Sequence, residues 1–308
     1  MTNTIEVRGL TVRFGDTVAV RDVSIDIAAG ELFGFIGPDG AGKTTLFRVL
    51  VTLLLPDEGT ARVLGLDVVD DMWELRRRVG YMPGRFSLYP DLSVAENLTF
   101  FASVFGTTLR EQYDRIAPVY RQIEPFADRR AGALSGGMKQ KLALCCALVH
   151  EPEILLLDEP TTGVDAVSRR EFWDMLDHLR ADGLTIVTST PYMDEADRCD
   201  RVALMQGGQI LQVDAPGTIG AAYGHPLLAV TGRDRFGLLG ALRELPHALS
   251  VYPFGESLHY TDTRTDASPA RVAEEVAAAL VGRGFPDVRA APVAPGIEDV
   301  FMQRMQAS

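Results

Sequence analysis

The chain has 308 residues, with 30 basic and 42 acidic side chains and a net charge of −12. That length predicts roughly two domains, and 46% apolar with 23% charged residues excludes a mainly disordered chain. The acidic excess argues against a protein built around a nucleic-acid backbone, which needs a dense basic face, so no nucleic-acid partner is expected. Only three of the basic residues are lysines, Lys43, Lys139 and Lys141. No apolar run approaches the ~18–20 residues that cross a bilayer, and the first ten residues lack the basic-then-apolar profile of a signal peptide. Cys145, Cys146 and Cys199 are odd in number and not spaced for zinc, so they are expected to be buried thiols in a reducing cytosol. The chain is expected to be soluble and cytoplasmic, with any membrane role coming through a partner.

Ile5–Phe14 alternates as a strand, Val23–Ile27 follows, and Glu31–Ile36 is a third strand running into a glycine-rich turn. A helix is predicted to start near Lys43 and end before Pro56. From Leu88 to Gly132 the periodicity becomes helical, with Phe100, Phe101, Phe105, Tyr113 and Tyr120. This predicts a helical insertion, extended to about 88–147, in an otherwise α/β domain. Strands return at Ile154–Leu157, Leu184–Ser189 and Val202–Met205, and Gln206–Gly208 turns the chain into Gln209–Val213. Ala215-Pro216-Gly217 marks the exit from this domain, dividing the chain into 1–217 and 218–308. The remainder contains no lysine and reads as a small α+β domain with a βαββαβ-like pattern. Its clearest helix is Pro269–Gly284, with Ser268 as cap, Pro269 at the first position, and Val272, Val276, Ala279 and Leu280 as the apolar face. A short helix over Ile297–Met305 follows. Phe236, Leu238, Tyr252, Phe254, Phe285 and Phe301 are expected in the core.

Gly37-Pro38-Asp39-Gly40-Ala41-Gly42-Lys43-Thr44-Thr45 fits G-x-x-x-x-G-K-[ST] and sits between a predicted strand and a predicted helix, the context that motif requires. Its glycines let successive N–H groups point inward at phosphate oxygens, and the helix starting at Lys43 adds its positive dipole end. Lys43 would supply a point charge to the outer phosphates and Thr44 a hydroxyl ligand to Mg²⁺. The apolar strand Ile154–Leu157 ends in Asp158-Glu159. Asp158 is placed to hold Mg²⁺ through water, and Glu159 to orient or deprotonate an attacking water; the alternative for such an acidic pair is simple helix capping.

Between these elements stands Leu134-Ser135-Gly136-Gly137-Met138-Lys139-Gln140. At this point residues 3–215 resemble the nucleotide-binding subunits of ABC transporters. Their signature is LSGGQ, with a variant tolerated at the fifth place. The resemblance implies a P-loop NTPase core with an N-terminal antiparallel β subdomain and a helical insertion, binding ATP and Mg²⁺. It also implies a head-to-tail dimer in which ATP lies between one chain's phosphate loop and the other's signature, here Ser135, Gly136 and Gly137. Gly163-Val164-Asp165 matches the loop after the acidic pair. Phe14 occupies the place of the aromatic that stacks on adenine, the alternative being a core position.

Arg78 to Pro83, Phe86 to Tyr89, Asp91 to Leu98, Val164 to Arg170 and Tyr192 to Ala196 resemble the ATP subunits of ABC-2 type exporters, as does Ile297-Glu298-Asp299-Val300-Phe301 near the end. This implies a polytopic membrane permease as partner, at the cytoplasmic face of the cell membrane, with the ATP subunit bound peripherally. Two positions depart from the pattern. The family has glutamine where Gly84 stands and histidine where Pro191 stands, contacts to magnesium and water and to the γ-phosphate, respectively. Proline donates from neither side chain nor backbone. Loss of such a contact commonly costs ~10²–10³-fold in rate, so ATP is expected to bind at this chain's own loop and turn over slowly. A second, more competent nucleotide-binding subunit is therefore favoured over a homodimer. The competing readings are a non-hydrolysing ATP-binding regulator and a soluble ABC ATPase. Lys139 and Lys141, behind the signature, are expected on a solvated helix face.

Overall fold

The computed structural model describes residues 3–307. The chain divides after Ala215 into two compact units. This falls just before the expected boundary at 217, because Pro216 already opens a helix of the second unit.

In the first unit β1 (Asn3–Phe14) and β2 (Thr17–Ala28) form an antiparallel hairpin, followed by β3 (Leu32–Ile36) and α1 (Lys43–Leu50). Next come β4 (Glu58–Val63), β5 (Leu66–Asp67), α2 (Met72–Arg78) and β6 (Val79–Met82). The helical stretch contributes α3 (Val94–Val104), α4 (Tyr113–Tyr120) and α5 (Gly136–Leu148). Then β7 (Ile154–Asp158), α6 (Ala166–Ala181), β8 (Thr185–Thr190), β9 (Arg201–Gln206) and β10 (Gln209–Asp214) complete the unit. One sheet has the order β2-β1-β4-β5, and the other β10-β9-β3-β8-β7-β6. In the second sheet β3 runs parallel to β8 and β9, β7 parallel to β6 and β8, and β10 antiparallel on the edge. Every residue of β3 and β7 is buried, as their continuous apolar runs require of strands covered on both faces. Phe33, Phe35, Phe47, Ile154 and Leu156 join Ile5 and Val7 of the hairpin sheet in one core.

The strands β4, β5 and β6 lie where no strand was expected. In β4 only Ala61 and Val63 are buried, and β6 has four residues, too few for a period to show. In the helical stretch Ser93 and Glu96 form a reciprocal capping box at the start of α3. Asn97, fully buried, accepts from the Tyr89 amide at 3.0 Å and donates to the Tyr89 and Ser93 carbonyls. That side chain ties the Tyr89–Ser93 segment to α3. The three cysteines are buried and free.

The second unit contains α7 (Pro216–Ala221), β11 (Leu227–Thr231), α8 (Arg235–Arg243), β12 (Ala248–Phe254) and β13 (Ser257–Asp262). It ends with α9 (Pro269–Gly282), β14 (Arg289–Pro292) and α10 (Ile297–Ala307). The βαββαβ run forms an antiparallel sheet of order β12-β13-β11-β14, the ferredoxin-like connectivity. Ser268 caps α9, which ends two residues early because Gly284 takes a left-handed φ of +97°. Two core assignments are corrected. Ala279 is exposed and Ala273 takes its place beside Val272, Val276 and Leu280. Phe236, at the start of α8, is 89% exposed, since the apolar face of that helix is carried by Leu238 and Leu242.

Asp299 of α10 is buried and accepts from His259 Nδ1 at 2.6 Å, from the Tyr252 hydroxyl, and from the Gly296 amide at 2.8 Å. Burial pushes its carboxyl up, and the donors from His259, Tyr252 and Gly296 outweigh this, leaving it below the usual carboxylate range. A depressed folded value stabilises the fold above the unfolded value of about 3.9 and loses that contribution as pH falls through the folded one. Asp299→Asn is therefore expected to lower the melting temperature of the second unit at pH 7. The gap between wild type and variant should begin to narrow as calorimetric scans are taken below about pH 4 and close as pH falls through the folded value; parallel curves from pH 7 to pH 3 would contradict this.

Candidate functional site

The site is built where the parallel strands end. β3 lies between β8 and β9, and the chain leaving it turns at Gly37, whose amide donates to the Thr190 carbonyl at 3.3 Å. A Cβ on Gly37 would stand 2.2 Å from the Met205 carbonyl oxygen, and one on Gly42 would stand 2.4 Å from that of Ala19. Gly40 and Gly42 also have φ of +79° and +100°. Glycine is thus required at the two close approaches and favoured at the two left-handed turns. Pro38 and Ala41 close the loop through an amide–carbonyl bond of 3.2 Å, with Asp39 exposed at its tip. Thr44 and Thr45 lie half-buried in the first turn of α1.

Lys43 is only 3% exposed. Its Nζ donates to the Gly37 and Pro38 carbonyls at 2.7 and 3.0 Å and lies 3.2 Å from Glu159 Oε1. A buried ammonium needs such partners, and these hold it inside the curl of the loop. Asp158, 2% exposed, receives two neutral hydroxyls on one oxygen. Thr44 Oγ1 donates to Asp158 Oδ1 at 3.1 Å, and Ser189 Oγ to the same atom at 2.6 Å. Glu159 follows with φ +50°, a left-handed conformation unusual for its type, its amide donating to Ser189 Oγ and O at 3.0 Å each. The acidic pair is therefore held by β8 as well as by its own strand.

These donors fit ATP and Mg²⁺. The loop leaves no room for Cβ atoms at Gly37 and Gly42 and brings a buried cation to its concave side. A buried carboxylate beside a threonine hydroxyl is the oxygen set that a hard divalent cation uses.

Gly84 and Pro191 both border this cluster. A Cβ on Gly84 would lie 3.0 Å from the Asp158 carbonyl oxygen and 3.6 Å from Glu159 Cβ. Pro191 directly follows Thr190, the residue that bonds Gly37. The next residues are tied down by buried Glu195, which accepts from Thr161 Oγ1 at 2.7 Å and from the Thr190 hydroxyl. Arg169 Nε lies 3.8 Å from Glu195, and the guanidinium sits 4.7 Å from the Tyr192 ring centre.

Ser135 caps α5, its hydroxyl accepting from the Met138 amide at 3.3 Å, with Ser135 and Gly136 exposed. A Cβ on Gly137 would stand 2.6 Å from Ser168 Oγ, and one on Gly136 would stand 3.4 Å from the Gly163 carbonyl oxygen. The signature thus rests on the Gly163–Ser168 segment, and Gly137 is what permits the approach. Phe14 is exposed where the β1–β2 hairpin turns, and Ala19 of the same hairpin lies against Gly42. The two remaining lysines are not on a solvated face, as expected from the sequence. Lys141 is largely covered and pairs with Glu171 at 2.7 Å, and half-buried Lys139 stands 5.5 Å from the Phe86 ring centre. Both are drawn down by partners outside α5.

Sequence reasoning missed Ser189, Thr190, Glu195 and Ala19. A signal for the first two was present: a fully buried strand, β8, ends in consecutive hydroxyl residues.

The ABC transporter family model matches residues 20–162. The chain is 39% identical over 305 residues to the probable multidrug ABC transporter ATP-binding protein YbhF of Escherichia coli K12, covering 97% of this chain and 51% of that protein. It therefore spans about half the length of that relative. It is 37% identical over 306 residues to the Nod factor export ATP-binding protein I of Bradyrhizobium diazoefficiens, covering 97% of this chain and 95% of that protein. Among solved structures, cbiO1 of Clostridium perfringens, part of the ABC transporter complex cbiONQ, has a TM-score of 0.65 and 27% identity over 72% of this chain and 92% of that one. The cassette MJ0796, in a dimeric post-hydrolysis state bound to ADP and Pi, has a TM-score of 0.62 and 25% identity over 68% and 98%.

Lys43→Gln removes the one buried cation among the described site residues while keeping much of the side-chain volume. It is expected to weaken ATP binding by about 10–100-fold, the range of a hydrogen bond to a charged group. ATP at 100 times the wild-type Kd should raise wild-type stability by about 2.7 kcal/mol and the variant's by far less, read as melting shifts. Equal shifts would remove Lys43 from the binding site.

Proposed function

From the premise that the chain belongs to the ABC transporter ATP-binding family, we propose that it is the ATP-binding and ATP-hydrolysing subunit of an ABC-2 type exporter. It sits peripherally at the cytoplasmic face of the cell membrane, against a polytopic permease. The carrying observation is the cluster at the ends of β3, β7 and β8, with Lys43 3.2 Å from Glu159 and Thr44 3.1 Å from Asp158. Export is supported by the relative named a Nod factor export ATP-binding protein, beside the one named for a multidrug ABC transporter.

In this reading the loop from Gly37 to Thr45 cradles the phosphates with its backbone amides, except at Pro38, which has none, and at Gly37 and Ala41, which donate to the Thr190 and Pro38 carbonyls, and Lys43 neutralises the outer phosphates. Thr44 and Asp158 would hold magnesium, which would supply Lewis-acid neutralisation of phosphate charge. Glu159 accepts the proton of the attacking water. Phe14, exposed on the hairpin beside Gly42, offers its ring to adenine. Ser135, Gly136 and Gly137 present a helix N-terminus to the ATP of a second nucleotide-binding subunit.

Gly84 and Pro191 make this chain's own site slow. A side chain rooted at 84 would lie beside both acids, and glycine offers none. Proline adds no donor where the segment meets Gly37. With the signature glycines unaltered, a heterodimer puts the competent site on a partner subunit and completes it with Ser135–Gly137. The two substitutions also support a second reading, an ATP-binding regulator that does not hydrolyse.

An apolar groove of about 430 Å³, lined by Leu75, Met82, Phe101, Val104, Phe105 and Ala147, separates the α/β core from the helical stretch. We assign it to a cytoplasmic segment of the permease. Met82 and Pro83 line the groove, and Gly84, the next residue, borders Asp158 and Glu159, so one short segment joins the docking surface to the acids.

Purified alone, the chain should bind ATP with little turnover, and Gly84→Gln combined with Pro191→His should raise phosphate release by about 10²–10³-fold. Vigorous wild-type turnover that falls on Glu159→Gln would sink the slow-site reading. Val104→Asp, at an exposed groove position, should abolish co-purification with a co-expressed permease and leave ATP binding unchanged; retained co-purification would place the permease elsewhere.

A further inference from the structure

We propose that Ser189 is a positioning residue for magnesium, acting through both acids at once. This rests on the ATP and Mg²⁺ reading of the site. Ser189 is fully buried near the C-terminal end of β8, between β3 and β7, where a hydroxyl without partners would be costly. Its single proton goes to Asp158 Oδ1 at 2.6 Å, and its oxygen accepts the Glu159 amide at 3.0 Å. A serine hydroxyl has one donor and two acceptor sites, so these bonds fix its rotor in one direction.

The consequence for Asp158 is directional. Thr44 and Ser189 both donate to Oδ1, so one carboxylate oxygen is committed to the protein and Oδ2 is left for the cation or its water. Without Ser189, Thr44 alone would orient the carboxylate, and Thr44 is itself the other magnesium residue. The consequence for Glu159 is conformational. Its φ of +50° lies in a region that glutamate seldom adopts, and the amide is gripped by both oxygens of Ser189. The β7–β8 register, which pairs Asp158 with Ser189, makes this geometry possible.

The test is the Mg²⁺ dependence of ATP binding, measured by calorimetry on the full chain in EDTA and across a Mg²⁺ titration. Wild type should bind ATP more tightly as Mg²⁺ is added. Ser189→Ala should bind ATP as wild type does in EDTA and need roughly tenfold more Mg²⁺ for half of the gain, the size of one hydrogen bond to a charged group. Ser189→Thr, which keeps the hydroxyl, should return the midpoint toward wild type. Ser189→Cys, with a weak donor of similar size, should behave as the alanine variant and answers the question if alanine fails to fold. An unchanged midpoint in both the alanine and cysteine variants overturns the proposal, as does an equal loss of ATP affinity with and without Mg²⁺. A wild-type affinity indifferent to Mg²⁺ overturns the magnesium assignment and the role of Ser189 with it.

Discussion

The site depends on a buried carboxylate, Asp158, that is held by hydroxyls rather than by a cation. Lys43, the buried ammonium nearby, pairs instead with Glu159 and with the carbonyls of its own loop. Burying an anion against neutral donors leaves part of its solvation unreplaced, and a divalent ion with its waters is the natural completion. The strand order places β3, β8 and β7 side by side, so the phosphate loop, Ser189 and Asp158 leave the same edge of one sheet. Ligand sites of open parallel sheets gather at that edge because the strands all end there and the following helices begin there. The hairpin sheet and β9 add a second constraint, since Ala19 of the one and Met205 of the other approach so closely that only glycine fits at 42 and 37.

What was legible in the sequence was local. Gly37–Thr45 spans one turn and one helix start, and Asp158-Glu159 ends one apolar strand, so each announces its chemistry within ten residues. Ser189 and Glu195 belong to the same cluster but act across separations of about thirty residues, through a strand register that composition does not encode. The same limit explains β4, whose pairing with β1 rather than its own pattern makes it a strand. Phe236 and Ala279 fail for the complementary reason. A helix of mixed small and apolar residues has more than one plausible face, and only the packed sheet decides between them. The lysines Lys139 and Lys141 were misplaced because their partners, Phe86 and Glu171, come from outside α5.

Gly84 and Pro191, the positions where the resemblance implies glutamine and histidine, are accommodated by the fold for identifiable reasons. The segment after β8 is held by Thr190, Glu195, Thr161 and Arg169, none of which is residue 191. Proline there changes which groups face the phosphate loop without loosening the turn that carries them. At position 84 an added Cβ would lie 3.0 Å from the Asp158 carbonyl oxygen, close enough that a side chain needs a small local adjustment and glycine needs none. Glycine at 84 and proline at 191 thus leave the scaffold around the acids in place. The signature shows the opposite balance: Gly137 is fixed by its approach to Ser168, and Ser135 by its cap on α5. That contrast, glycine and proline beside this chain's own acids and a signature surface held in place, is what underlies the proposal of a second nucleotide-binding subunit.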